Sequence, residues 1–360
     1  MLALATVTEH AAVAQDAFTP TPATQTASQP AGLLWELSPS IYPEGVHDEE
    51  HYLREVHAQC EGYAALAREA ADPAQAVESE LAAANLILAR ETEPFASRRL
   101  LGLSQPEDEA SMRSALASAR RRLGSAADRL ENWVDEDVPG RDRHRDRLET
   151  LQSFATALEA VWRPGDDEAA AQTRRDGVVS LAVLLEHERK DVASAAAVWQ
   201  AVLYRQLGRP DRALELLPLA TDRAEREART YQLLSRLLRC RLIADRGGYA
   251  AACALLLQIE ERIVEWFGTD EARAAAAHAA MLTRVQVLAL WRDTLDPATE
   301  ADEIQWCNRA IERIHGDAAV EGGSSPVLRL EETIPLIVPL PEGPGPTPRT
   351  LPARRHPGDE

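Results

Sequence analysis

Apolar positions recur three and four residues apart through most of the chain, the spacing that puts them on one face of an α-helix. Tyr52, Val56, Tyr63 and Leu66 mark a first helix over 48–71. Asp72-Pro73 then supplies an N-cap followed by proline at the first helical position, where a missing N–H costs nothing, so a second helix starts there and runs to about Arg90. Met112, Leu116, Ala119, Leu123, Ala127 and Leu130 describe one long face ending near Trp133. A helix over 141–162 opens RDRHRDRLE, whose alternating charges suit a solvated surface, and Val178, Leu181, Leu184 and Leu185 predict another over 166–190.

The same periodicity continues over 192–207, from 210 to at least Leu219, and over 223–245, 249–267, 270–293 and 299–315. Pro218 falls inside the second of these and predicts a kink or an early stop, because it removes a helical hydrogen bond. No alternating β-prone run interrupts residues 48–315. The expected fold is all-α: antiparallel helical hairpins stacked into a repeat-like superhelix, with flexible N- and C-terminal segments.

Two stretches share a spacing. In AAAVWQAVLYRQLGRPDRALELLPLA, Ala201 is a small residue where two helices would cross, Tyr204 an aromatic one turn later and Gly208 the turn between the helices. Ala213 is the small residue of the second helix, with Leu217 and Ala220 continuing its buried face. Cys240, Ile243, Gly247, Tyr249, Ala252, Leu256 and Ile259 repeat the scheme, with Ala213 and Ala252 39 residues apart. This pattern resembles the tetratricopeptide repeat, a helix–turn–helix unit that stacks because one hairpin cannot bury both of its apolar surfaces. The usual period is about 34 residues, so the helices here are longer or the links extended. The resemblance covers 190–268 best. It implies a curved surface that receives a protein or peptide.

Composition narrows the partners. The net charge is -19, which argues against broad nucleic-acid binding, since phosphate contacts need clustered positive charge. All but one of the 39 basic residues are arginines, the exception being Lys190. Arginine makes planar, bidentate contacts with carboxylates. Arg205, Arg209, Arg212, Arg236 and Arg239 are therefore candidate contacts for an acidic ligand, and Trp199 and Trp291 candidate aromatic anchors. No stretch reaches the roughly 20 apolar residues of a membrane-spanning helix.

Catalytic signatures are missing: no phosphate loop, zinc-protease helix, nucleophile elbow or dinucleotide-binding turn is present. The chain is expected to be non-catalytic and to carry no cofactor. His47, His51, His57 and Cys60 form the one local group of metal-ligand types, with His51, His57 and Cys60 the candidate ligands, and a single straight helix does not converge all four at the ~2.0–2.3 Å a zinc ion needs. The four cysteines include no CxxC pair and read as free thiols, Cys253 among them.

The expected organisation is an N-terminal arm over 1–46 with a short apolar anchor at Leu33, Leu34, Trp35 and Leu37, a helical region over 47–190, the repeat-like hairpins over 191–315, and a linker, apolar segment and proline-rich tail over 316–360. Residues 326–340, PVLRLEETIPLIVPL, suit self-docking or assembly as a homo-oligomer. Met1–Val7 is too short and uncharged for a secretory signal; cytoplasmic residence is expected, with export the alternative for an incomplete N-terminus. The functional expectation is a protein-interaction or assembly scaffold. Its alternatives are a helical enzyme or metal-binding protein built from distant residues, and a structural protein that self-associates through the C-terminal apolar segment.

Overall fold

The computed structural model describes residues 49–92, 108–133, 140–222, 229–266 and 270–320. The expected N-terminal arm and the 326–340 segment lie outside them. The described residues form eleven α-helices: α1 (Glu49–Glu69), α2 (Pro73–Ile87), α3 (Asp108–Glu131), α4 (Arg141–Trp162), α5 (Glu168–Ala182), α6 (Lys190–Gln206), α7 (Pro210–Asp222), α8 (Arg229–Ala244), α9 (Tyr249–Trp266), α10 (Asp270–Asp293) and α11 (Ala301–Val320). A π-helical turn, Leu88–Thr92, extends α2. No strand occurs among the described residues, and none of the helices is long and apolar enough to cross a membrane.

Each helix packs on the next along the chain. The even helices also form a row, α2 against α4, α4 against α6, α6 against α8 and α8 against α10, while no odd helix packs comparably on the following odd one among the described residues. Stacked antiparallel hairpins produce this arrangement. α8 shows why stacking is needed. Tyr231, Leu234, Leu238 and Leu242 join the core built from the preceding helices, whereas Leu233, Leu237, Cys240 and Ala244 join the core shared with α9, α10 and α11. One helix thus carries two apolar faces, each requiring a different hairpin.

The turns that close the α6–α7 and α8–α9 hairpins are built alike. Gly208 and Gly247 have φ of +69° and +80°, a region that costs a side-chain-bearing residue energy and glycine almost none. At the first turn the Arg209 N–H donates to the Tyr204 carbonyl at 2.8 Å and the Gly208 N–H to Arg205 at 3.0 Å. At the second, Gly248 donates to Ile243 at 3.0 Å and Gly247 to Ala244 at 2.8 Å. Both are the paired closure that satisfies the last carbonyls of a helix. Gly248 has its own reason to be glycine: a Cβ there would stand 2.7 Å from Ile243 Cγ2. Across the crossings, Ala201, Ala213, Leu217, Cys240, Ala252, Leu256 and Ile259 are buried, Tyr204, Ile243 and Tyr249 are half-buried, and the side chain of Ala220 lies outside the described ones.

Two boundaries, and the early stop considered at Pro218, differ from the sequence expectation. α5 ends at Ala182 rather than near Lys190: Leu184 donates to Leu181 and His187 to Leu184, tight i to i−3 bonds that turn the chain. Leu184 is buried in that turn and Leu185 half-buried, so their apolar spacing reflects packing of a turn. α7 continues through Pro218 to Asp222; Pro218 is exposed, and the Leu217 carbonyl accepts from the buried Ser235 hydroxyl at 3.0 Å. α11 passes Gly316 and reaches Val320.

A polar clasp joins every consecutive pair in the even row. The Gln206 amide of α6 donates to the Val161 carbonyl of α4 at 3.1 Å. Arg205 of α6 grips Asp245, just past α8, through Nε at 2.6 Å and Nη2 at 3.2 Å. Arg241 of α8 donates to the Gln286 carbonyl oxygen of α10 at 2.8 Å. On α2, Glu78 meets His144 Nδ1 at 3.4 Å and the Arg147 guanidinium, both from α4. Burial alone would raise the Glu78 carboxyl, but hydrogen bonding and charge from His144 and Arg147 hold it down to about 2. A depressed carboxylate stabilises the fold above its unfolded pKa, about 4.3 for glutamate, and that contribution is lost as pH falls toward about 2. Acid unfolding of Glu78→Gln is therefore expected to show lower stability at neutral pH and a shallower slope between these values, the two curves converging at the acid end. Parallel curves would show the clasp to be energetically silent.

Candidate protein-interaction surface

The arginines singled out by the sequence divide into engaged and unengaged groups. Arg205 is committed to Asp245. Arg212 pairs within its own helix with Glu215 at 2.7 Å. Arg209 stands exposed at the Gly208 turn, on the rim of a cleft of about 270 Å³ that also takes in Asp166, Arg174, Arg175 and Gln206. The cleft's other cations are spoken for: Arg174 donates to the carbonyls of Arg163 and Gly165 at 3.2 and 2.8 Å, capping α4, and Arg175 pairs with Glu168.

Arg236 and Arg239 are different. Most of α8 is buried, and Gln232, Arg236 and Arg239 form its solvent-facing stripe at four- and three-residue spacing. The Arg236 guanidinium lies over the Trp266 ring of α9, 4.3 Å from its centroid, a cation–π contact. Its Nε is buried with no hydrogen-bond partner. Burial first, then the positive charges of Arg262 and Arg239, pull Arg236 below the ordinary arginine range. Arg239 and Arg262 are exposed, and no acidic side chain pairs with any of the three among the described residues. Three guanidiniums thus crowd one spot in a chain whose net charge is -19.

The tryptophan expectations separate in the same way. Trp199 is fully buried and offers a partner nothing. Trp291 is half-buried, stacked on Tyr249 at 6.1 Å and touched edge-on by Trp306 at 5.3 Å. Trp306 is 48% exposed, so this aromatic trio opens to solvent at the opposite end of the α8–α9 hairpin from Trp266.

Two of the metal-ligand types on α1 have described side chains. His57 is exposed, the buried Cys60 thiol donates to the Ala83 carbonyl of α2 at 3.8 Å, and the His51 side chain lies outside those described. No group of three or more His, Cys, Asp and Glu able to hold a metal occurs among the described residues. All four cysteines are buried and free. Burial pushes the Cys240 thiol up to about 12 and those of Cys253 and Cys307 up to about 11, leaving little of the nucleophilic thiolate at neutral pH.

Arg262, Trp266, Tyr249 and Trp306 complete these surfaces; sequence reasoning placed Trp266 and Trp306 on helical faces without singling them out as anchors, and did not assign Arg262 or Tyr249 to a partner site. The available signal was the Gly247 turn. It folds α9 back along α8, so residues at similar distances on either side of it become neighbours, Arg236 and Arg262 among them.

Compared with known proteins, the chain matches no family model, no curated protein and no solved structure.

Proposed function

We propose that this chain is a non-catalytic protein-interaction scaffold whose α8–α9 hairpin receives an acidic peptide segment of a partner. The observation that carries the proposal is the cluster of Arg236, Arg239 and Arg262 over the Trp266 ring. Crowded guanidiniums with no acidic partner among the described residues repel one another, and an arriving acidic side chain relieves that repulsion with charge-assisted hydrogen bonds. The fork of a guanidinium fits a carboxylate in two places at once. Trp266 holds one such fork in position, which lowers the ordering cost of binding.

We also read the hairpins as divergent tetratricopeptide-like units. The matching Gly208 and Gly247 turns, the buried alanines at both crossings and the contact row of even helices support this. The spacing of 39 residues between Ala213 and Ala252 departs from the usual period by a little over one helical turn.

The test is the binding of a fluorescein-labelled glutamate-rich peptide to the full chain, followed by anisotropy. Exposed charge contacts are each worth roughly 0.2–1 kcal/mol. Reversing Arg236, Arg239 and Arg262 to glutamate together is expected to weaken binding at least tenfold, and added salt should weaken binding to the parent protein. Arg212→Glu, on an exposed residue paired locally with Glu215, should leave binding unchanged. Equal affinity of the parent and the triple variant, with unchanged helical circular dichroism, would falsify the assignment.

A further inference from the structure

We infer that residues 326–340 of this same chain occupy the α8–α9 arginine cluster, with Glu331 and Glu332 set against Arg236, Arg239 and Arg262. The inference rests on the proposed acid-binding role of that cluster and identifies an occupant for it.

Position comes first. Consecutive helices run in opposite directions, so α8 and α10 begin, and α9 and α11 finish, at one end of the array. The arginine cluster lies toward that end: Trp266 is the last residue of α9, Arg262 is one turn before it, and Arg236 is two turns into α8. α11 delivers the chain to the same end at Val320. Glu331 follows eleven residues later, a length that reaches as far as about 36 Å when extended. α10 lies between α11 and α8, and neighbouring packed helices stand only about 8–10 Å apart.

Charge comes second. The cluster's three guanidiniums have no acidic partner among the described residues. In the tail, Glu331 and Glu332 are adjacent, preceded directly by Leu330 and followed, after Thr333, by Ile334. An acidic pair with apolar residues close by matches guanidiniums standing beside an indole. A tethered segment also has the advantage of effective concentration, in the millimolar range for a short link, so weak contacts suffice. Such a tail would compete with a partner's acidic peptide for the same guanidiniums.

The experiment places a photo-crosslinking phenylalanine analogue at Thr333 of the full chain and maps the crosslinked peptides by mass spectrometry. Crosslinks within one chain to α8 and α9 are expected. Glu331→Arg with Glu332→Arg should lower their yield at least tenfold, and adding Arg236→Glu with Arg239→Glu should restore most of it. Crosslinks that map elsewhere, that join two chains, or that ignore the charge reversal overturn the inference. A labelled 326–340 peptide added to the Glu331→Arg, Glu332→Arg chain separates the two ideas. Binding that depends on Arg236, without intramolecular crosslinks in the parent, removes the self-docking and keeps the acid-binding site; no binding and no crosslinks remove both.

Discussion

Trp199→Ala is expected to cost about 3–5 kcal/mol of stability, the range for emptying a buried aromatic site, and to lie toward its upper end. Trp199 sits in α6, which packs against α4, α5, α7 and α8, and every residue from Val192 to Leu203 is buried. Removing an indole here opens a cavity, and its cost depends on how far the neighbours can close in. Ala195 and Ala196, one turn before Trp199 on the same helix face, have no rotamers with which to fill the space. Urea unfolding followed by circular dichroism would show the midpoint fall with the slope unchanged. A loss below about 1 kcal/mol would mean that α6 is not the centre of the array. Trp199→Phe, which keeps most of the volume, should lose much less.

What the sequence made legible were features decided by one or two residues. Gly208 and Gly247 stop helices through their own backbone freedom, and both turns stand where the glycines do. Asp72 caps α2 by accepting from the Ala74 N–H at 3.0 Å, a local interaction that needs no partner helix. α4 and α10 run over the predicted bounds, since a strong apolar stripe flanked by breakers leaves few alternatives. Features decided by distant residues were not legible. Leu184 and Leu185 continue a helical spacing, yet the chain turns beneath them. Trp199 reads equally well as an anchor or as core, because amphipathic spacing says nothing about how many sides of a helix are covered. Arg205 reads as a ligand contact until Asp245 is brought beside it by the next hairpin, 40 residues on. The same property that suits arginine to an acidic partner suits it to an acidic neighbour, and only the stacking tells the two apart. Among the described residues, that stacking brings Arg236 together with Arg239 and Arg262 and pairs none of the three with a carboxylate.

Gly177→Val should destabilise by about 3 kcal/mol, at the top of the usual range for overpacking. Gly177 lies on α5 where it crosses α4 and approaches α6. A Cβ at this position would stand 2.9 Å from Ala160 Cβ, 2.9 Å from Leu203 Cδ1 and 3.4 Å from Ala157 Cα. The Leu203 methyl can rotate away, but Ala160 is fixed to its helix and can yield only if α4 moves. Valine adds two γ-methyl groups to that collision. Helix propensity acts the other way, since glycine is about 1 kcal/mol worse than alanine inside a helix. Gly124 on α3 isolates that effect: it is exposed, and a Cβ there meets nothing within 4 Å. Gly124→Ala is accordingly expected to raise stability by about 0.5–1 kcal/mol, while Gly177→Ala lowers it despite the same gain in propensity. Thermal unfolding of the three variants decides the matter by sign. Stabilisation by Gly177→Ala of the size seen for Gly124→Ala would show that α4 and α5 do not approach as closely as this crossing requires, and the even-row packing of α4 on α6 beside it would have to be redrawn.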